Sequence, residues 1–475
     1  MSFDLIVRGG RALIEGVGLT ECDIAISKGR IAALLQRGEG AAAEVIDARS
    51  LHVLPGVIDA HVHFRLGSPD DWRSESRAAA QGGVTTVLSY IQDARSYLQV
   101  GAEERARGEA ESVVDFGLHF ILMNELHLGE IAAYVDRLGV SSFKYFTNFK
   151  GQEGAYMGVA GTDAGFFYDL ARTVASVEGA MLAVHTENIE IVWRLAAELK
   201  AAGADGLRAW ERSRPDLVET HDMFTAFLFA ERTGCPIYIP HVSSASAVDL
   251  YRQHTSRGGR SVIETCAHYL TLTADSELGS IAKVNPPVRY ERDMQSLWAA
   301  VSGGTIAVVG SDHNSRKRER KEGSIWTASA GFPGVSTLLP LLLDEGVHKR
   351  GLPLERVVEV LCSNPARVFG LHPRKGVIAV GADADLVLVD LEDERVVDSS
   401  RFDSHADFSP YDGRKLRGWP AITIVRGRVV MREGQITDGS EGHGRYLFRP
   451  ASGPAASRIA AGSASTPGAV ARADA

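Results

Sequence analysis

Residues 54–64, LPGVIDAHVHF, are the most informative segment of this 475-residue chain. After a Pro-Gly pair the segment is a short, nearly continuous apolar run, and it ends in His61 and His63. Runs of this kind are typical of parallel strands that are buried on both faces. The segment therefore predicts a buried strand whose carboxyl end carries two histidines.

Seven more apolar runs follow, mostly alternating with helical stretches such as 188–201, 245–253 and 291–300. Eight strand-plus-helix units over about 250 residues predict an α/β fold, a (β/α)₈ barrel. A doubly wound open sheet is the alternative, but no Gly-rich phosphate loop follows the first run. The eight runs are 57–63, 84–90, 114–122, 141–146, 181–185, 237–241, 261–266 and 305–310.

The two ends of the chain have similar sequence patterns. Residues 1–54 contain short alternating strands with glycine turns, and the same pattern returns after residue 376. We therefore predict one β-sandwich domain from residues 1–54 and 376–445, around a catalytic barrel of residues 55–375. Residues 449–475 are rich in Ala, Ser, Gly and Pro and are predicted to form a disordered tail.

The composition is that of an average globular protein, with 45% hydrophobic and 23% charged residues. The net charge of −9 argues against a nucleic-acid partner. No apolar run approaches the length of a membrane span, so we expect no membrane association. The four cysteines are far apart and form no C-x-x-C pair, which favours a cytoplasmic location.

Metal ligands are the main functional prediction. His61 and His63 are separated by one residue, so both side chains point to one face of a strand. His185, His241 and Asp312 also follow predicted strands, and the carboxyl ends of barrel strands converge on one face. A lone histidine at a strand end is more often a hydrogen-bonded core residue. Converging imidazole and carboxylate groups favour divalent, zinc-like cations.

Lys144, in SSFKYF at the end of the fourth run, has two interpretations. It is either a lysine whose ammonium reaches solvent from a strand end, or part of the metal site. An ammonium group would be repelled by metal ions. A lysine that loses its proton and takes up carbon dioxide becomes an anionic carbamate, which can bridge two metals.

The motifs HVHF, SFK, HTEN, PHVSS, SDH and GVIAVGADADLV together resemble the amidohydrolase superfamily. The resemblance is to its cyclic amidases, which include dihydropyrimidinase (hydantoinase), allantoinase and dihydroorotase. It extends from the N-terminal β-unit to about Gly434. It implies a distorted TIM barrel with a small β-sandwich from both termini, and a hydrolase that opens a cyclic amide, imide or ureide ring.

The same resemblance implies a cofactor and a mechanism. His61, His63 and Asp312 would hold one divalent ion of the zinc type, and His185 and His241 a second. N6-carboxylated Lys144 and a hydroxide would bridge the two ions. The hydroxide would attack the ring carbonyl, with Asp312 as general base and then general acid. Relatives also imply a homodimer or homotetramer.

Substrate-binding residues are less clearly defined. Hydantoinase-type enzymes carry a tyrosine five residues after the lysine, where this chain has Phe149. Arg65 and Asn285 resemble substrate-contacting residues of dihydroorotase, and the loop around Gly331 is nearer to allantoinase and dihydroorotase. Arg65 could equally pair with a neighbouring acid, and His313 could be a supporting hydrogen-bonded residue. The predicted substrate-binding residues are Arg65, Gln92, Asn285, His313 and Gly331.

Two further alternatives remain open at this stage. The basic segment 316–321 is either a solvated surface or a loop over the site that favours an anionic substrate. The chain could also be a mononuclear deaminase or a non-catalytic, dihydropyrimidinase-like scaffold. Scaffolds of that kind lose metal ligands, whereas all six ligand positions are present here.

Overall fold

A computed structural model describes residues 2–156 and 163–449 of the chain. It begins with five strands in which β1 pairs in antiparallel fashion with β2 and in parallel with β4 and β5. Only Ile46 of β4 is buried, as befits a strand at the margin of a sheet. The five strands are β1 (Ser2–Ile14), β2 (Gly18–Ser27), β3 (Arg30–Leu35), β4 (Ala41–Asp47) and β5 (His52–Pro55).

The centre of the molecule is an eight-stranded parallel sheet in which each strand neighbours the next along the chain. The sheet closes where Val62 bridges to His313, and the His63 N–H donates to the His313 carbonyl at 2.9 Å. All eight predicted strands are present, although the sixth ends at Ile239 because Pro240 has no N–H to donate. The barrel strands are β6 (Val57–Val62), β7 (Val84–Ile91), β8 (Asp115–Ile121), β9 (Ser142–Phe146), β10 (Met181–His185), β11 (Ile237–Ile239), β12 (Ser261–Cys266) and β13 (Val308–Gly310).

Helices follow the barrel strands, and several of them are capped by a polar residue that precedes them. Asn124, Asn188 and Ser244, for example, each accept a hydrogen bond from a backbone N–H in the first turn of their helix. The helices are α1 (Asp71–Gln81), α2 (Tyr97–Glu111), α3 (Glu125–Leu138), α4 (Gly151–Tyr156), α5 (Ala164–Ser176), α6 (Ile189–Ala201), α7 (Gly206–Ser213), α8 (Asp216–Thr233), α9 (Ala245–Ser256), α10 (Glu291–Ser302), α11 (Leu338–Leu341), α12 (Leu354–Val358) and α13 (Asn364–Val368), with π-helices at Leu342–His348 and Glu359–Ser363 and 3₁₀ turns at Gly279–Ala282, Arg318–Lys321 and Ser399–Arg401.

Four strands after the barrel complete the first sheet. Strand β14 (Leu386–Val396) pairs in antiparallel fashion with β5, and β15 (Lys415–Val425), β16 (Arg428–Arg432) and β17 (Gln435–Ile436) follow outwards. The result is one nine-stranded mixed sheet with its own apolar core, which includes Ile24, Leu388 and Ile424. The predicted fold class, a distorted barrel with a β-domain built from both termini, is confirmed.

The last described residue is anchored beneath the barrel. The N–H of Arg449 donates to the Gly139 carbonyl at 3.1 Å, and its buried guanidinium donates to Ser142 Oγ at 3.0 Å. The rest of the predicted tail, residues 450–475, lies outside the described residues. In the described part of the chain, no helix combines the length and the apolar character that crossing a bilayer requires.

A buried group of charges joins the barrel to the terminal sheet, and we call it the junction cluster: Asp115, Lys375, Asp383, Asp385 and Arg426. Asp115 is the first residue of β8, so the cluster lies at the amino end of the barrel. The Lys375 ammonium lies 2.7 Å from Asp115 and 3.3 Å from Asp383, and it also contacts Asp385. Arg426 pairs with Asp115.

Candidate active site

Three of the predicted ligands meet at one carboxylate oxygen. Oδ1 of Asp312 lies 3.1 Å from Nε2 of His61 and 3.2 Å from Nε2 of His63. Asp312 follows β13 with a φ of 50°, a left-handed backbone that aspartate and asparagine adopt more readily than most L-residues. The two histidines, one residue apart at the end of β6, thus point to the same face of the strand, as the sequence predicts.

The other three ligands form a second group beside the first. Nδ1 of His185 lies 3.0 Å from Nε2 of His241, and the Lys144 ammonium lies 3.4 Å from the same nitrogen. The ring centroids of His61 and His241 are 5.4 Å apart, so the two groups are contiguous. The fold therefore brings all six sequence-predicted ligands together at the carboxyl ends of β6, β9, β10, β11 and β13.

The donor set fits a pair of divalent cations. The outer ring nitrogens are held by carboxylates, His61 Nδ1 by Glu264 at 2.6 Å and His185 Nε2 by Glu187 at 3.1 Å. The inner Nε2 of His61 is buried and faces Oδ1 of Asp312 at 3.1 Å. Imidazoles fixed by an outer carboxylate, with the inner nitrogen directed at the site, are the usual arrangement of metal-binding histidines.

Lys144 is fully buried in this group. Burial lowers the pKa of its ammonium to about 8, against the opposing charges of Asp312 and Glu264. Its Nζ lies 4.6 Å from the ring centroid of Tyr90 and 5.0 Å from that of Phe146. A neutral amine is thus accessible near neutral pH, which is the form that can add carbon dioxide.

Asp312 carries the negative charge of the site. Burial raises its pKa, but His61 and His63 outweigh burial and hold that pKa well below the ordinary value of a carboxyl group. Burial lowers the pKa of His63 to about 4, despite the nearby Asp312. The carboxylate and the neutral imidazole of His63 are both forms that bind metal. Burial also lowers the pKa of His61, but the charges of Glu264 and Asp312 outweigh burial and raise it to about 9.

Several residues that support the ligands escape sequence reasoning. Glu264 accepts from Tyr238 at 2.6 Å as well as contacting His61, and Glu187 lies 3.3 Å from Arg214. Glu264 could have been noticed as the single charge in the apolar run SVIETC, since a lone charge in a buried strand needs a partner. Nothing in the sequence distinguishes Glu187 beyond its place in HTEN.

His313 is held on both sides of its ring. Nε2 lies 2.9 Å from Glu75, and Nδ1 accepts from the N–H groups of Gly334 at 3.1 Å and Val335 at 3.3 Å. The side chain is buried. This geometry supports the alternative interpretation, in which His313 fixes the loop after β13 instead of contacting substrate.

Arg65 and Gln92 lie at the barrel mouth. Arg65 forms an ion pair with Glu104, a buried carboxylate that also accepts from Trp72 Nε1 at 2.9 Å. This is the pairing with a neighbouring acid that the sequence leaves open. Gln92 directly follows β7 and is half-buried.

Asn285 lies in the wall of an open cleft of about 680 Å³ beside the ligand group. Its Oδ1 and that of Asn148 are buried and have no hydrogen-bond partner in the described ranges. Gly331 lies behind this wall with a φ of 90°, and its N–H donates to the Lys283 carbonyl at 3.0 Å. The cleft is lined by Asn148, Phe149, Glu153, Trp210, Arg214, Lys283, Asn285, Arg316, Glu319, Arg320, Glu322, Trp326 and residues 327–330.

Phe149 stands where hydantoinases carry a tyrosine, and it lines the cleft without a hydroxyl group. Its ring stacks on Phe146 with centroids 4.2 Å apart. The hydroxyl of Tyr145 donates to the Asp163 carbonyl at 3.3 Å, and its ring packs on Phe167 outside the barrel. Tyr145 therefore does not replace the missing hydroxyl at the site.

Comparison with known proteins now decides the family. Residues 238–430 match the model of the amidohydrolase family. The chain is 34% identical over 462 residues to an L-hydantoinase of Paenarthrobacter aurescens, covering 94% of this chain and 98% of that one. The chain belongs to the amidohydrolase family.

Other relatives show which group of the superfamily this amidohydrolase belongs to. It is 38% identical over 455 residues to an allantoinase of Rubrobacter xylanophilus, covering 93% of this chain and 97% of that protein. A solved L-hydantoinase (dihydropyrimidinase) from Arthrobacter aurescens superposes with a TM-score of 0.87 at 33% identity, covering 94% and 99% of the two chains. The amidohydrolase therefore lies in the cyclic amidase group of the superfamily, as the sequence motifs predict.

Proposed function

We propose that this amidohydrolase hydrolyses the ring amide bond of a cyclic amide, imide or ureide, as a hydantoinase or dihydropyrimidinase does. One observation carries the proposal: six ligand side chains converge at the mouth of the barrel. The names of the relatives, hydantoinase and allantoinase, support the same substrate class.

The cofactor in this proposal is a pair of divalent metal ions, with zinc as the expected metal. His61, His63 and Asp312 would hold one ion, and His185 and His241 the other. Carboxylated Lys144 would bridge them, which its burial and lowered pKa support. When bound, such ions polarise a carbonyl group and make water nucleophilic at neutral pH.

The protein's own residues supply orientation and proton transfer. Asp312 is charged, so it can accept a proton from the attacking water and deliver it to the departing ring nitrogen. Glu264 and Glu187 hold the rings of His61 and His185 in one orientation. Asn285 and Asn148 line the cleft, where their side-chain amides would hydrogen-bond the ring.

Two related activities are compatible with the same site. Allantoinases are among the relatives, so allantoin is the first alternative substrate. Dihydroorotase activity is the second, but Arg65 is already paired with Glu104, which weakens its use as a carboxylate ligand. The complete ligand set argues against a non-catalytic scaffold.

A cytoplasmic homo-oligomer is the expected form of the enzyme. The four cysteines are buried free thiols, which suits a reducing compartment. Helix α8 exposes Leu217 (57%) and Phe224 (55%), and such apolar side chains favour association into a dimer or tetramer. Light scattering of the purified protein measures the oligomeric state directly.

A hydrolysis panel tests the proposed function. The zinc-loaded enzyme is offered dihydrouracil, hydantoin, 5-substituted hydantoins, allantoin, dihydroorotate and a bulky cyclic imide. We expect ring opening of at least one of them, and loss of that activity when a chelator removes the metal. An enzyme with two bound metals that opens none of these rings would refute the proposal.

The bridging carbamate has a separate test. In Lys144→Ala we expect the second metal to bind weakly and the activity to collapse. Carbon-13 NMR of the wild-type enzyme in labelled bicarbonate should show a carbamate signal that the variant lacks. A Lys144→Ala enzyme with two metals and full activity would exclude the bridge.

A further inference from the structure

The floor of the cleft contains two buried cations, Lys283 and Arg214. The Lys283 ammonium donates to the Ala328 carbonyl and lies 4.0 Å from the Trp210 ring centroid. Within residues 2–156 and 163–449 it forms no ion pair, although its side chain is only 4% exposed. Arg214 lies over the same ring at 3.5 Å, and Arg316 donates to the Ala330 carbonyl at 3.1 Å.

Two other buried cations, Arg289 and Lys375, have carboxylate partners, whereas the buried Lys321 is held by backbone carbonyl groups. Arg289 lies 3.4 Å from both Glu211 and Glu219, and Lys375 contacts three aspartates. In the cleft, Glu187 at 3.3 Å from Arg214 is the carboxylate that reaches the floor. Because a buried charge without a counter-charge is costly, the two buried cations Lys283 and Arg214, set against Glu187, favour a ligand that brings negative charge to the cleft.

Within the described residues no carboxylate forms an ion pair with Lys283, although Glu153 and Asp205 act through space on Arg214 and Lys283 respectively. Glu153 accepts from Trp193 Nε1 at 2.9 Å, which holds it at the side. Glu319 and Glu322 are exposed at the rim, and so is Arg320. The floor of the cleft thus carries positive charge, and its rim carries charges of both signs.

The cleft is continuous with the candidate metal site. Glu187 lies between Arg214 and His185, at 3.3 and 3.1 Å respectively. Phe149 stacks on Phe146, whose ring centroid lies 5.1 Å from that of His185. A ring held at the metal site would therefore direct one substituent into the cleft, past the side-chain amides of Asn148 and Asn285.

We propose that the cleft is an anion subsite, which binds a carboxylate at the end of the ring substituent through Lys283, Arg214 and Arg316. This inference rests on the proposed function and specifies its substrate class: hydantoins, or related cyclic ureides, with an acidic side chain. The aromatic side chains of Phe149, Trp210 and Trp326 enclose the aliphatic part of that substituent.

A matched pair of substrates tests the subsite. Hydantoin-5-propionic acid and its primary amide have nearly the same shape and differ by one charge. We expect the acid to be preferred by about tenfold or more in kcat/KM at low salt, as a charge-assisted hydrogen bond provides. Added salt should weaken the preference only partly, because the floor is buried.

Three variants show which residues cause the preference for the acid over the amide. Lys283→Met keeps the length of the side chain, and we expect it to lower kcat/KM for the acid about tenfold more than kcat/KM for the amide. Arg316→Met should act in the same direction. Arg318→Met is the matched control, because Arg318 belongs to the same basic segment but is exposed and does not line the cleft.

Binding of the ring-opened products gives a second measurement that needs no turnover. Calorimetry compares N-carbamoylglutamate with N-carbamoylglutamine on the wild type and on Arg316→Met, which keeps the test valid if Lys283→Met fails to fold. Equal handling of acid and amide by the wild type would overturn the subsite and leave the proposed function intact. No ring opening of either compound or of the panel, with two metals bound, would overturn the function itself.

Discussion

The two ends of the barrel treat buried charge in opposite ways. At the amino end, the junction cluster surrounds the Lys375 ammonium with three aspartates from the barrel and the terminal sheet. At the carboxyl end, the Lys283 ammonium is buried against the Ala328 carbonyl and the Trp210 ring and forms no ion pair within the described residues. Charge that is balanced within the chain stabilises the fold. Under the proposed function, the charge at the carboxyl end serves metal and substrate, in keeping with the location of barrel active sites.

The largest effect is expected at Asp312. Asp312→Asn should lower kcat by about 10³-fold, because the amide cannot accept the proton and binds metal poorly. The fold should persist, since asparagine tolerates the left-handed backbone at this position. Steady-state kinetics and a thermal melt measure the two properties separately.

Asp249→Asn is the control for Asp312, because Asp249 carries the same charge on the exposed side of α9. Its kinetics should equal those of the wild type. A carboxyl-end variant that lost stability and kept its activity would break the contrast between the two ends.

The junction cluster should show the reverse behaviour. Lys375→Met leaves three buried aspartates without their shared cation, so we expect the free energy of unfolding to fall by about 3 kcal/mol or more. The folded enzyme should retain its kcat, because the cluster lies at the opposite end of the barrel. Urea unfolding together with kinetics below the transition provides the measurement.

Arg30→Met is the matched variant at the edge of the same cluster. Arg30 lies 4.0 Å from Asp383, but its side chain is 62% exposed, so its loss should cost no more than about 1 kcal/mol. Equal destabilisation by both variants would contradict the importance of burial in this comparison.

A substitution of Glu264 tests how much the candidate metal site depends on the buried residues that hold its ligands in place. Glu264→Gln keeps the shape but removes the charge that holds His61 Nδ1, so metal affinity should fall about 10- to 100-fold. Excess zinc should restore kcat, which a competitive chelator titration can follow. Glu231→Gln, in a histidine–glutamate pair on the outer helices, should leave metal affinity unchanged.

The smallest expected effect is a pH dependence of the anion subsite. Burial, with Arg214 and Lys200 adding to it and Asp205 opposing, lowers the pKa of Lys283 to about 7. Lys283 is therefore charged below that pH and neutral above it, while a bound carboxylate raises its pKa. We expect the acid-over-amide preference to decline between about pH 6 and pH 9.

Using the ratio of acid to amide cancels the titration of the metal site, which affects both substrates alike. The ratio for Lys283→Met should be flat over the same range. A wild-type ratio that rose with pH would contradict the assignment of the charge to Lys283.

Much of this structure follows from periodicity and position along the chain. The apolar runs predict all eight barrel strands, because strands buried on both faces show no polar alternation. The six predicted ligands converge because each is at the carboxyl end of its strand, a property that a sequence records directly.

Contacts that depend on the third dimension are beyond such reasoning. The pairing of Arg65 with Glu104 and of His313 with Glu75 joins residues from different βα units. Lys283 looks like any loop lysine in the sequence, and only the packing of Trp210 and the loop around Ala328 shows that it is buried. The net charge of a buried pocket depends on side chains from distant parts of the chain. It therefore cannot be read from the sequence.

The pairing of β5 with β14 has a consequence for how the chain is made. These two strands flank the entire barrel in sequence, so β5 leaves the ribosome long before its partner exists. Throughout synthesis of the barrel, the N-terminal half of the sheet presents an open edge, which is a site for mispairing with other nascent chains. We therefore expect this protein to depend on chaperones that shield that edge until the last strands emerge.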